Sequence, residues 1–91
     1  MVAFTQEIVG KYIIRIVYRN CPKYLFNWHT DEYDRIVKVL DCCDGWYFQY
    51  DNELPFKINK GDVIEIPNYL PHRIIREYSK KDLILKILDI K

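Results

Sequence analysis

The segment Gly61-Asp-Val-Ile-Glu-Ile-Pro67-Asn-Tyr-Leu-Pro71-His72 is the part of the sequence that decides the fold. It opens with a Gly-Asp turn and continues into a short run of valine and isoleucine, which favours a strand. Two prolines then fix the backbone at a corner, and a histidine follows the second proline directly. The segment therefore predicts that His72 lies at the mouth of a β structure, with its imidazole held in a defined direction.

The length and composition predict one small soluble domain over residues 1–91. A chain of 91 residues lies near the lower end of the usual domain size, so its core is expected to be thin. Hydrophobic residues make up 49% of the chain, and we expect Trp28, Trp46, Phe48 and Tyr50 to lie in the core. The formal net charge is +1 and the basic residues do not cluster, which argues against a nucleic-acid partner.

The sequence has no pattern of a signal peptide or a membrane span. The first ten residues lack a basic start and are interrupted by Glu7. Apolar runs end at a charged residue well before the ~20 residues that a transmembrane helix needs. The cysteines Cys21, Cys42 and Cys43 are odd in number and form no Cys-x-x-Cys pair, so we expect free thiols. These features predict a cytoplasmic protein with no membrane partner.

Short β-prone segments separated by turn residues cover nearly the whole chain. Strands repeated at intervals of about eight to twelve residues are typical of an all-β sandwich or barrel. No long segment shows a convincing helical period, and Gly10-Lys11 has the place of a hairpin turn. The predicted strands are Ala3–Val9, Tyr12–Tyr18, Tyr24–His29, Arg35–Asp41, Trp46–Tyr50, Leu54–Ile58, Val63–Ile66, His72–Glu77 and Leu83–Ile90.

Two histidines and one aspartate form a candidate metal site. His29 and Asp31 are two residues apart, so on an extended segment they project to the same side. Together with His72 from another strand they supply two imidazoles and one carboxylate. That is the ligand set of a facial triad, which leaves positions on a divalent ion open for substrate or dioxygen. The candidate metal ligands are therefore His29, Asp31 and His72.

The spacing within the opening segment resembles the second motif of the cupin family. That motif is Gly, five residues, Pro, four residues and His, and Gly61, Pro67 and His72 have this spacing. The resemblance implies a double-stranded β-helix, a small jelly-roll barrel. It also implies that the metal ligands cluster near one end of the barrel.

The first cupin motif is matched less completely. The family has His-x-His, then Glu and Gly, and His29 takes the place of the first histidine. Asp31, Arg35 and Cys42 stand where the family has the second His, the Glu and the Gly. An acidic residue at the second position occurs among oxygenase relatives of the same fold. The resemblance thus implies a divalent metal such as Fe, Mn, Ni or Zn as the cofactor.

Arg35 is the departure from the family pattern with the most consequence. A guanidinium cannot ligate a metal, and it opposes a nearby cation by Coulomb repulsion. It is suited to clamp the carboxylate or phosphate of a small anionic ligand. Glu32, Tyr47 and Gln49 are the other candidates for such a ligand site. The alternative is a surface arginine that pairs with the acidic residues beside it.

Three functions fit these predictions. The first is a metal-dependent enzyme, such as an oxygenase or isomerase acting on a small anionic substrate. The second is a non-catalytic module that binds a small molecule, with or without metal, and the third is an interaction protein in which the barrel is only a scaffold. Fold alone does not choose among them. Strands rich in Tyr, Ile and Leu near both ends are expected at sheet edges, which predicts self-association as a homodimer.

Overall fold

The computed structural model describes residues 2–91 and contains two antiparallel sheets. The larger sheet has the strand order β1-β2-β8-β3-β6, and the smaller has the order β5-β4-β7. The strands are β1 (Phe4–Val9), β2 (Tyr12–Val17), β3 (Asp34–Asp41), β4 (Trp46–Tyr50), β5 (Phe56–Lys57), β6 (Val63–Ile66), β7 (His72–Arg76) and β8 (Leu83–Ile90). Two facing sheets of this kind form a jelly-roll barrel, which confirms the predicted all-β fold class.

The hydrophobic core lies between the two sheets. Alternate residues of β3 and β8 face it, including Val37 and Val39 from β3. The smaller sheet contributes Trp46 and Phe48, as predicted, and the buried indole N–H of Trp46 donates to the Lys81 carbonyl at 3.0 Å. The complete buried cluster is Val17, Val37, Val39, Trp46, Phe48, Ile58, Ile64, Ile66, Leu83, Leu85 and Ile87, with Tyr50 packed against its margin.

The corner between β6 and β7 is formed as the sequence predicts. Val63–Ile66 and His72–Arg76 are strands, and Pro67–Pro71 joins them. Leu70 donates its backbone N–H to the Pro67 carbonyl at 3.3 Å, and Tyr69 adopts a positive φ of 59°. The corner turns the chain from the larger sheet into the smaller one, because β6 pairs with β3 and β7 pairs with β4.

The predicted strand Tyr24–His29 is wrong. Lys23–Leu25 forms one 3-10 helical turn, and Leu25 and Phe26 donate to the Pro22 and Lys23 carbonyls at 3.1 and 3.0 Å. These local bonds occupy the donors that a strand would offer to a neighbour. Trp28 is 43% exposed rather than in the core.

No helix in the described part of the chain is long and apolar enough to cross a membrane.

The sheet edges also differ from the prediction. The C-terminal strand β8 is a central strand, because β2 and β3 pair with it on its two sides. The N-terminal strand β1 is an edge of the larger sheet, and all six of its residues are exposed. Of the two terminal strands, only β1 therefore offers an edge that could pair with a second copy. The homodimer remains a prediction.

Replacing Gly45 by alanine should destabilise the fold strongly. Gly45 has a φ of +105°, and an added Cβ would overlap the backbone carbonyl of Tyr78. We expect Gly45→Ala to lower the free energy of unfolding by about 2–5 kcal/mol, measured by urea denaturation. Gly10→Ala is the matched control, since Gly10 also has a positive φ (+61°) but nothing lies within 4 Å of an added Cβ. It should lose only about 1–2 kcal/mol; equal losses would contradict the prediction.

Candidate metal centre

The two histidines are held together by their backbones. His29 donates its N–H to the His72 carbonyl and His72 donates to the His29 carbonyl, both at 3.0 Å. This is an isolated antiparallel bridge, and residues that face each other in such a bridge project their side chains to the same side. The ring centroids are accordingly 4.2 Å apart.

Asp31 joins the two histidines from the same loop as His29. Its backbone carbonyl accepts the N–H of Tyr69 at 2.8 Å, which ties the loop to the Pro67–Pro71 corner. One carboxylate oxygen, Oδ2, lies 3.1 Å from Nε2 of His72. One ligand atom from each of His29, Asp31 and His72 can be chosen so that all three lie within 4.8 Å of one another. The structure thus brings the three predicted ligand residues to one place, and their role as metal ligands remains a prediction.

The proton positions at His72 leave two acceptors facing each other. Nδ1 lies 2.8 Å from the Leu70 carbonyl, so this nitrogen carries the proton and donates it. Burial lowers the pKa of His72, which favours the neutral ring with a lone pair on Nε2. That lone pair points towards Asp31 Oδ2, a buried atom with no hydrogen-bond partner among residues 2–91. A buried acceptor without a donor is costly, and a cation beside both atoms would satisfy them.

The donor set fits a divalent ion. Adjacent ligands of an octahedral ion, each about 2.1 Å from it, lie about 3.0 Å from one another. His72 Nε2 and Asp31 Oδ2 have nearly this separation, at 3.1 Å. His72 is 2% exposed, so its direction is fixed, whereas His29 is exposed and its Nδ1 is held by a longer hydrogen bond to the Asn27 carbonyl, at 3.2 Å. We therefore expect His72 and Asp31 to be preset and His29 to complete the site by a small movement.

Arg35 lies beside this site but is already paired. Its Nε donates to Asp89 Oδ1 at 2.6 Å, and its Nη1 lies 3.4 Å from Asp31 Oδ1. Arg35 and Asp89 are register partners on β3 and β8, so the pair is fixed by the sheet. Of the alternative prediction, the pairing with the acidic loop is formed through Asp31, but the surface position is not, because the Arg35 side chain is only 16% exposed. Its charge is balanced by two carboxylates, which reduces both its repulsion of a cation and its capacity to clamp an anion.

A cavity of about 240 Å³ is lined by two of the three candidate ligands, His29 and Asp31. Its polar wall includes His29, Asp31, Arg35 and a residue that the sequence analysis did not select, Arg15. The only sequence signal for Arg15 was the alternation of β2, which places it on the same face as Ile13 and Val17. The apolar wall is formed by Ala3, Phe4, Val17, Leu25, Phe26 and Ile74. A mixed lining of this kind is typical of a small-molecule site.

Three residues predicted for the ligand site do not line this cavity. Glu32 is exposed in the loop after Asp31. Tyr47 and Gln49 lie on β4, on the opposite face to the buried Phe48. The side-chain amide of Gln49 is also occupied, because it donates to the Glu53 carbonyl and accepts from Arg73 Nε. The positions of these residues give no support to a role in ligand binding.

Comparison with known proteins supports the fold. No protein-family model matches the sequence, and no curated protein sequence matches it significantly. KdgF from a Halomonas species aligns with a TM-score of 0.73 at 15% identity, over 98% of this chain and 82% of that one. A cupin-like protein from Thermotoga maritima aligns with a TM-score of 0.65 at 17% identity, over 94% and 66% of the two chains. The iron(II) form of HppE in complex with substrate aligns with a TM-score of 0.68 at 9% identity, over 96% and 52%.

These likenesses define the class of fold. The chain has the fold of a small cupin domain, which confirms the double-stranded β-helix implied by the spacing of Gly61, Pro67 and His72. At identities of 17% and below in these three alignments, the likeness concerns the fold and carries no activity across. The chemistry of the site depends on the residues that form it in this chain.

The neighbouring thiols Cys42 and Cys43 have different surroundings. Cys42 Sγ donates to the Ile58 carbonyl at 3.5 Å, and burial raises its pKa. Cys43 Sγ lies 3.4 Å from the hydroxyl of the buried Ser79, and this hydrogen bond lowers the pKa of Cys43. The two sulfur atoms thus contact different groups, and both thiols are free.

Cys43 should therefore be the first thiol to react with iodoacetamide at pH 8. A lower pKa gives a larger thiolate fraction, whereas burial raises the pKa values of Cys42 and Cys21. Mass spectrometry of peptides after timed labelling would measure the order. Ser79→Ala should slow the labelling of Cys43, while Thr30→Ala, a control hydroxyl deletion, should not. Equal rates at Cys42 and Cys43, or no effect of Ser79→Ala, would contradict the assignment.

Proposed function

We propose that this cupin domain binds a divalent metal ion through His29, Asp31 and His72, and that the adjoining cavity holds a small anionic ligand. The observation that carries the proposal is the buried Asp31 Oδ2, which has no hydrogen-bond partner in residues 2–91 and faces His72 Nε2 at 3.1 Å. With His72 neutral, two facing acceptors at this position carry a desolvation cost that a bound cation would remove. The cluster also borders the cavity through His29 and Asp31.

Each residue of the cluster has a separate task in this proposal. His72 is oriented by the Leu70 carbonyl, which selects the tautomer with the proton on Nδ1 and leaves Nε2 of the neutral ring as the ligand atom. Asp31 offsets part of the charge of the ion. The ion would supply a Lewis acid with open positions for a ligand. The apolar wall of the cavity would exclude water from the bound ligand, which strengthens electrostatic contacts there.

The ionisable residues that line the cavity limit the class of reaction. Among the described residues that line it, the ionisable side chains are Arg15, His29, Asp31 and Arg35. His29 and Asp31 are the proposed ligands, and arginine does not exchange protons at neutral pH. The cavity therefore offers no separate general acid or base. An oxygenase or isomerase whose chemistry is centred on the metal fits this composition.

The same composition favours a second candidate, a non-catalytic binding module. Such a module would use the metal and the cavity to hold a small molecule without converting it. The solved structure of HppE pairs iron(II) and a substrate on the same fold, which makes metal-centred catalysis the first candidate. Turnover of the bound small molecule by the metal-loaded protein would separate the two.

Titration with zinc tests the metal site. Protein made without a histidine tag and treated with EDTA should bind one Zn²⁺ per chain in isothermal titration calorimetry. His72→Ala should abolish binding, and Asp31→Asn should weaken it by more than about 100-fold, because a ligand loss exceeds the effect of an outer-shell change. Glu32→Gln is the matched control, since it removes an exposed neighbouring carboxylate and should leave the affinity unchanged. Failure of the unmodified protein to bind Zn²⁺, Fe²⁺, Mn²⁺ or Ni²⁺ would refute the proposal.

Removing the charge of Arg35 should tighten metal binding. Arg35 lies 3.4 Å from one oxygen of Asp31, so it repels an ion held by that carboxylate. Arg35→Gln also frees Asp89, which adds a negative charge near the site. We expect Zn²⁺ affinity to rise by up to about tenfold, since partial solvent exposure weakens the interaction. Arg19→Gln makes the same charge change at an exposed position and should have no effect. A weaker affinity in Arg35→Gln would show that Arg35 supports the site rather than opposing it.

A further inference from the structure

We propose that Arg15, and not Arg35, is the anion-binding residue of the cavity, and that its ligand is a small monocarboxylate with an apolar body. This inference rests on the proposed function for the existence of an anionic ligand, and it adds the receptor group and the chemical class. It reverses the sequence-based prediction that Arg35 clamps the anion. The two arginines differ in their contacts, and the lining of the cavity limits the ligands that fit.

Arg15 is held in place but keeps most of its donors free. Its Nε and Nη2 both donate to one oxygen of Gln6, at 3.0 and 2.8 Å. A guanidinium has five N–H donors, so three remain for a ligand. The guanidinium carbon also lies 4.1 Å from the centre of the Phe4 ring, which supports one face of the group. A guanidinium held in this way loses little freedom when it binds an anion.

The charge of Arg15 is not balanced by an ion pair. Its side-chain partner is a neutral amide, and no carboxylate among residues 2–91 lies within salt-bridge distance of it. Arg35, by contrast, contacts both Asp89 and Asp31. Burial lowers the pKa of Arg15, and the charge of Arg35 lowers it further. A bound anion would offset both effects, whereas a neutral ligand would offset neither.

The charged residues around the cavity favour an anionic ligand once a divalent ion is bound. Arg35 and Asp89 offset each other, and Arg15 and Asp31 carry opposite charges. The cavity wall is therefore close to neutral without an ion, and it becomes positive when a divalent ion is added. Binding of the metal and binding of an anion should then support each other, each raising the affinity for the other.

The shape of the donors and the wall selects a carboxylate with an apolar body. The N–H groups of one guanidinium match two oxygens of either a carboxylate or a phosphate. The further oxygens of a phosphate would face a largely apolar wall, which favours the carboxylate. More than half of the lining residues are apolar, with Val17, Phe26 and Ile74 among them. A cavity of about 240 Å³ has room for a short aliphatic or single-ring acid. Each methylene that reaches this wall should tighten binding by about fourfold.

Matched ligands test this inference directly. The full chain, metal-free and Zn²⁺-loaded, would be titrated with hexanoate, with the neutral analogue hexanamide and with inorganic phosphate. We expect hexanoate to bind the metal-free protein in preference to hexanamide and phosphate, and to bind more tightly with Zn²⁺ present. Arg15→Gln should weaken hexanoate by about 10- to 100-fold and leave hexanamide unchanged. Arg19→Gln, which makes the same charge change at an exposed position, should behave like the unmodified protein.

A second measurement does not depend on the folding of a variant. In the unmodified protein, the Nε–H resonance of Arg15 should shift on addition of hexanoate and not on addition of hexanamide. Three results would each overturn the inference. The first is equal affinity for hexanoate and hexanamide, and the second is an unchanged preference for hexanoate in Arg15→Gln. The third is tighter binding of phosphate than of hexanoate. If hexanoate binding depends on Arg15 but no divalent ion binds, the inference stands and the proposed metal site fails. If metal binds and no acid is preferred, the metal site stands and the inference fails.

Discussion

The site depends on one backbone contact, the reciprocal pair of hydrogen bonds between His29 and His72. This bridge fixes a loop with no strand of its own against the start of β7. Two further bonds extend it to the Pro67–Pro71 corner, from Tyr69 N–H to the Asp31 carbonyl and from Asn68 N–H to Asp34 Oδ1 at 2.7 Å. Tyr69 has a positive φ, which costs about 1–2 kcal/mol in a residue with a side chain, and its bond to Asp31 offsets that strain. Backbone geometry, rather than side-chain packing alone, therefore positions the candidate ligands.

The ladder between β3 and β8 gives the two arginines different roles. Arg35 faces Asp89 in that ladder, so its partner is present whenever the sheet is formed. Arg15 lies on β2, beside β8 on the other side, and its β1 partner is the neutral Gln6. The same sheet thus neutralises one cation near the metal site and leaves the other facing the cavity. This difference between Arg15 and Arg35 follows from strand register, which cannot be read from the sequence around either residue.

The Gly61–His72 segment was predictable because its prolines fix the backbone locally and Gly61 permits the positive φ of the turn, whatever the rest of the chain does. The Tyr24–His29 segment was not, because its aromatic residues are β-prone while its backbone donors bond to Pro22 and Lys23. Alternation correctly separated Tyr47 and Gln49 from Phe48, but it cannot say which face is inside. The convergence of His29, Asp31 and His72 was open to prediction from spacing. Arg15 was not, because β2 has isoleucines on both faces, and only its pairing with β8 shows which face is inward.

The two ends of the cavity differ in how firmly they are built. His72 is 2% exposed and is hydrogen-bonded through both its backbone and its ring, so the candidate metal site at one end of the cavity has a fixed residue behind it. The opposite wall includes Phe4 of β1, an edge strand whose residues are all exposed and which pairs only with β2 in the described sheet. Elements with little buried surface open and shift most readily. If the proposed function holds, the arrangement would combine a rigid metal centre with an adaptable wall for the body of the ligand. Substitutions on β1 should then change which ligand binds more readily than whether metal binds.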